Sequence, residues 1–135
     1  MLWLLLAAAP ATAAAQAAPD APRGQFTVVV DGITDTGADE LDVAVVGLLR
    51  SRRAAFLHWY ELALARDASL AGRVTIAFTF TSEGATTDVR VVANTTGDDD
   101  LAARVTRIVG GLRLLPRPGL GGATYTVPLD FAPVE

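Results

Sequence analysis

The chain has one histidine, no cysteine, and 15 acidic residues against 11 basic ones, so the side chains able to do chemistry are few. Nucleophilic catalysis needs an activated Ser, Thr, Cys or Lys beside a base, and the one base of that kind, His58, falls on the polar side of a predicted helix, where solvation accounts for it. Acid–base catalysis needs two carboxylates brought together in a cleft. The acids here gather at segment starts and turns, above all Asp39, Glu40 and Asp98 to Asp100, where helix capping and the macrodipole account for them. Asp98-Asp99-Asp100 lacks the spread ligands, turn glycine and closing Glu of a calcium loop. Gly119 to Gly122 precedes no helix, so its amides lack the dipole that would help them hold a phosphate. These residues predict no catalytic, cofactor or metal site and identify no small-molecule substrate. The expectation is a protein that is not an enzyme.

A net charge of −4 gives no electrostatic reason to approach a phosphate backbone, so nucleic acid is excluded as a partner on this reading. Every basic residue is Arg, a bias expected from base composition rather than from a binding device. Without cysteine there is no disulfide and no thiolate chemistry, and only packing can hold the fold.

The elements that must supply that packing follow from periodicity. Phe26 to Val30 is a β-branched run closed by Asp31-Gly32 and reads as a strand. After the cap-rich Thr34 to Glu40, apolar residues at Leu41, Val45, Leu48, Leu49, Phe56, Trp59, Tyr60 and Ala63 share one face of a long helix ending near Arg66. Arg52 interrupts that stripe, either snorkelling along its own stem or pairing with a carboxylate. Arg73 to Thr81 alternates Val74, Ile76, Phe78 and Phe80 against polar neighbours. Ser82 to Ala85 turns the chain, and Thr87 to Thr95 returns as an antiparallel partner, with Val89 and Val91 on one face and Val92 on the other. Asp98 to Asp100 open a second amphipathic helix through Leu101, Val105, Ile108, Val109 and Leu112, which Gly110-Gly111 ends or frays. Ala123 to Phe131 is the last strand, with Tyr125, Val127, Leu129 and Phe131 on one face. Pro128 cannot donate to a ladder and places that strand at a sheet edge. The predicted fold is α+β in the order β-α-β-β-α-β, an antiparallel sheet with two helices packed on one face.

Residues 1–18 carry a short apolar run, Leu2 to Ala9, then Pro10 and small-residue cleavage sites around Ala13 to Ala17, as a secretory signal peptide does. The run is short of the ~20 residues a spanning helix needs. Residues 19–25 read as a linker and residues 26–135 as a single domain. The expected location is therefore periplasmic or exported, with the membrane as a partner only if the N-terminal segment is retained.

Several short motifs fall in a recognisable order: Tyr60-Glu61-Leu62-Ala63-Leu64, Leu70-Ala71-Gly72-Arg73-Val74, Ser82-Glu83-Gly84, Asp98 to Val105, Leu115-Pro116-Arg117-Pro118 and Val127-Pro128-Leu129-Asp130-Phe131. In this order, from about Leu41 to Phe131, the chain resembles the AgmX/PglI C-terminal domain family, itself similar to the TonB C-terminal domain. That family carries a cysteine before the tyrosine of the long helix and another after a leucine and two small residues of the second helix. Here those positions hold Trp59 and Arg104, and Arg104 over the Trp59 ring would stand in as a cation–π contact for the missing covalent link.

The resemblance implies a cell-envelope protein that works by protein contact. The function expected is an exported, non-catalytic protein–protein interaction module that binds an envelope protein or an extended peptide segment, with an anchored TonB-like energy-coupling subunit as the alternative. The binding route expected is strand addition beside the supposed edge strand, with Tyr125, Val127 and Leu129 as the contacting positions.

Overall fold

A proline can sit in a sheet interior only where no neighbouring strand asks for its missing N–H, and the sheet of this protein is arranged around such a place. The structure is a computed structural model and describes residues 21–134. Its elements are β1 (Gly24–Val28), a 3-10 turn (Val30–Gly32), β2 (Thr34–Asp35), α1 (Asp39–Ser51), α2 (Arg53–Arg66), β3 (Gly72–Phe80), β4 (Thr86–Asn94), α3 (Asp99–Gly110) and β5 (Thr124–Pro133). The strands form one antiparallel sheet in the order β1-β5-β3-β4, with β2 also pairing β5. The class is α+β, as expected, with three helices instead of two.

The last strand is not an edge. β5 lies between β3 on one side and β1 with β2 on the other, and the reason is local. β1 follows β5 as far as Val28 opposite Leu129, then leaves the ladder for the 3-10 turn, and β2 resumes at Thr34 opposite Thr126. Pro128 faces that gap. Its carbonyl still accepts from the Val29 N–H at 3.0 Å, and its ring fills the space beneath Gly32, where an added Cβ would sit 2.8 Å from Pro128 Cγ. Beginning at Gly24, β1 also takes in two residues that the sequence reading assigned to the linker.

The long helix is likewise two helices. Continuing the stripe Leu41, Val45, Leu49 by three or four residues lands on Arg52 and Arg53, so a straight helix would aim a guanidinium at the core. The chain breaks at Arg52 instead. Arg52 is exposed and forms no ion pair among the described residues. α2 then starts a fresh register that buries Phe56, Tyr60, Ala63 and Leu64.

α3 begins as its sequence predicts. Asp98 caps it, accepting from the Leu101 N–H at 3.0 Å. Thr96 ties Asn94 at the end of β4 to that cap through its hydroxyl. The helices cover one face of the sheet with two aromatic groups at the centre. Phe26, Phe56, Tyr60 and Phe131 meet near β1, and Phe78, Phe80 and Tyr125 meet further along. Tyr60 is wholly buried, and its hydroxyl donates to the Leu70 carbonyl at 2.5 Å. The opposite sheet face carries Thr75, Thr79, Thr124 and Thr126, with Arg73 donating to Asp130 through Nε and Nη2 at 2.6 and 3.1 Å.

Candidate functional site

Tyr125, Val127 and Leu129 were expected to meet a partner along an open edge, and the sheet order excludes this. Both sides of β5 are paired, and the three side chains are fully buried. Their part in the molecule is the core.

The open edges are those of β1 and the two-residue β2 on one side and of β4 on the other, since each pairs with one strand alone among the described residues. β4 is interrupted twice. Its register against β3 jumps past Val92, and again where Asp88 and Val89 together face Phe78. Asp88 adopts a φ of 54° there, a left-handed conformation that Asp tolerates better than most side chains. Bulges of this kind twist an edge and discourage further pairing.

A concavity lies elsewhere, between α1 and the stretch from the 3-10 turn to β2. It is a groove of about 450 Å³. Its walls are apolar: Val30 and Ile33 on one side, Val43 and Val46 on the other. Val43 is 74% exposed and Val30 49%. Gly47 forms part of its lining and leaves it open, since a Cβ added there meets nothing within 4 Å. At one end stand Asp35 and Asp42, and Arg50 also lines it.

The two carboxylates are held in place from below. The Tyr125 hydroxyl, at the tip of a buried ring, donates to Asp42 Oδ1 at 2.8 Å. The Gly37 N–H donates to Asp35 Oδ1 at 3.0 Å. Desolvation, and then the neighbouring Asp42 charge, push the Asp35 carboxyl above its usual range, against the smaller opposing pull of the Gly37 N–H. Burial, and then the Asp42 carboxylate, likewise push the Tyr125 hydroxyl well up. Among the described residues neither Asp35 nor Asp42 has a cationic partner, and Arg50 has no anionic one.

Periodicity missed this groove because it was read for one core stripe. α1 carries a second stripe, Val43, Val46, Gly47 and Arg50, again three and four apart. Its exposed valine beside a mid-helix glycine is the signal that could have marked it. Asp35 falls within the stretch Thr34 to Glu40 that the sequence marks as cap-rich, and Asp42 lies outside it; in the structure Asp35 belongs to β2, and the α1 N-cap is Ala38, with no side-chain bond.

The second place that the sequence singled out is formed between α2 and α3. The Arg104 guanidinium lies over the Trp59 ring, 4.2 Å from its centroid. Arg104 Nε also approaches Asp100 Oδ1 at 3.9 Å, and the exposed His58 ring stands edge-on to the indole at 4.8 Å. Asp98 is occupied as a cap, and Asp99 and Asp100 fall in the first turn of α3.

No helix among the described residues is long and apolar enough to cross a membrane, and the expectation of a signal peptide over residues 1–18 lies outside the described residues. Compared with family models, with curated proteins and with solved structures, the chain matches none.

Proposed function

We propose that the protein is an exported, non-catalytic protein–protein interaction module of the bacterial cell envelope, built on the plan of the AgmX/PglI C-terminal domains and, through them, of the TonB C-terminal domain. The observation that carries the interaction reading is the groove between α1 and the Val30–Asp35 stretch, a concavity of about 450 Å³ with a largely exposed Val43 on one wall and a half-exposed Val30 on the other. Apolar side chains held apart in water stabilise nothing in the free protein, and they gain when a partner covers them. The element order supports the family reading. So does the meeting of Trp59 with Arg104, two positions where the family resemblance implies a cysteine pair. The envelope setting rests on the leader-like residues 1–18.

The test is expression of the whole chain in a diderm bacterium, with intact mass, fractionation and site-specific photo-crosslinking in cells. Processed protein in the periplasm, with an adduct from a photoreactive residue at Val43 and none from Arg107 on α3, is the expected result. Cytoplasmic recovery with no Val43 adduct would refute the proposal. Full-length protein in the membrane fraction would replace it with the anchored coupling subunit.

A further inference from the structure

The groove has a charge pattern as well as an apolar lining, and on the interaction reading above that pattern describes what fits it. Asp35 and Asp42 lie side by side at one end with no cation to balance them among the described residues. Each already accepts one hydrogen bond from the protein, which fixes its orientation and leaves further acceptor capacity for a donor arriving from the groove. Arg50 lies about 12 Å further along α1 than Asp42, at ~1.5 Å of rise per residue, and it too has no ion-pair partner among the described residues. Between them Val43 and Val46 face Val30 and Ile33. An extended chain advances about 3.3 Å per residue, so the two charged ends are about four residues apart.

Gly47 is an independent sign that this space is kept open. Glycine inside a helix is less stable than alanine by about 1 kcal/mol, and close packing is the usual structural reason to accept that loss. Here a Cβ would touch nothing. The glycine gives the fold no packing benefit and keeps the groove clear beside Val43 and Val46.

We infer that the groove receives an extended peptide segment of a partner protein, one carrying an Arg or Lys that sits between Asp35 and Asp42, a carboxylate about four residues further on against Arg50, and apolar side chains between them. The basic group relieves the repulsion between the two aspartates, and the ordered charges fix the direction in which the segment lies. Strand addition has no part in this mode. The groove is bounded by α1, the 3-10 turn and the two-residue strand β2, which is too short to template a ladder, so selectivity comes from side chains.

The experiment uses the protein purified after expression of the whole chain. The probes are two synthetic peptides, Arg-Val-Ile-Val-Glu and its charge-reversed counterpart Glu-Val-Ile-Val-Arg, with binding read from amide chemical shifts. The first should shift residues of α1 and the Val30–Asp35 stretch, and the second should bind about tenfold more weakly. Gly47→Leu should abolish binding while the melting temperature holds or rises. Asp35→Asn with Asp42→Asn keeps the acceptors for Gly37 and Tyr125 and should weaken binding about tenfold. Equal binding of the two peptides, binding unaffected by Gly47→Leu, shifts confined to other surfaces, or no binding of either peptide at about 1 mM would each overturn the inference. A Val43 crosslink in cells that persists after such a result would leave the interaction module standing and remove only this ligand chemistry.

Discussion

Removing Trp59 and Arg104, singly and together, measures how much the contact between α2 and α3 contributes. With the guanidinium 4.2 Å from the indole centroid, the geometry is that of a cation–π pair. Such pairs contribute about 0.5–1 kcal/mol at exposed sites and about 2 when desolvated. Trp59 is half-buried and the Arg104 side chain is 34% exposed, so the expected coupling is about 1 kcal/mol. Arg104→Ala also loses the Asp100 approach at 3.9 Å, an exposed i,i+4 pair contributing about 0.3–0.5 kcal/mol. Trp59→Ala also loses the packing of the ring against the core. Both side effects appear in a single mutant and again in the double mutant, so they cancel in the cycle. Urea unfolding followed by far-UV circular dichroism gives the four stabilities without relying on the fluorescence of the residue being removed. Coupling that survives added salt would separate the contact from an ion pair. A coupling below about 0.3 kcal/mol, within ordinary additivity, would refute the claim that these side chains hold the two helices together.

The remaining expectations test the groove, the core and the sheet interior. Because burial and then the Asp42 charge raise the Asp35 pKa, wild-type stability falls as pH climbs through the interval between the unfolded and folded values. Asp35→Asn should therefore melt higher than wild type near neutrality and converge with it near pH ~3, where the Asp35 carboxyl is protonated in the folded and the unfolded chain alike; equal melting at neutral pH would refute the repulsion. Tyr60→Phe leaves the buried Leu70 carbonyl without its donor and should cost about 1–3 kcal/mol in urea unfolding. Burial raises the Tyr60 hydroxyl to about 12 from 10.0, so wild-type stability should decline across that alkaline interval and the Phe variant should decline less. Gly32→Ala drives a Cβ against the rigid Pro128 ring and should cost about 1–3 kcal/mol, whereas Gly47→Ala, with nothing near it, should stabilise by a few tenths to about 1 kcal/mol.

What the sequence made legible was whatever depends on one element at a time. Val74, Ile76, Phe78 and Phe80 alternate into the core as read, Asp98 caps α3 as read, and Gly111 closes that helix. The failures arose where two elements had to be known together. Pro128 argues for an edge if β5 is considered alone. It is tolerated in the interior because β1 leaves the ladder opposite it, which no pattern within β5 could reveal. The register shifts of β4 depend in the same way on its pairing with β3. Arg52 did carry a local signal, since two arginines stand where the stripe requires apolar residues, but a whole helix with Arg52 snorkelling along its stem or pairing with a carboxylate satisfies the same pattern. The groove was missed because its two walls are separated by a turn. Only the second stripe on α1 was visible beforehand.

The position of β5 also decides which kind of recognition this fold can offer. Strand addition needs a regular edge with free backbone groups, and neither edge here is generous. β1 is five residues long, and the Gly24 N–H at its start is taken by Glu61 Oε2 at 2.8 Å. β4 is longer but bulged at Val92 and at Asp88, where Asp88 and Arg90 bind one another at 2.9 Å on the exposed strand. Short strands, bulges and charges are the devices by which sheets discourage unwanted pairing. With both edges blunted, recognition moves to side chains, and the groove beside α1 unites exposed apolar walls, charges of both signs that have no ion-pair partner among the described residues, and a helix glycine whose side stands open. The interruption of β1 that admits Pro128 also sends the chain through Val30 and Ile33 to form one wall of that groove. The irregularity that spoiled the sequence-based view of the sheet is therefore the same one that builds the candidate site.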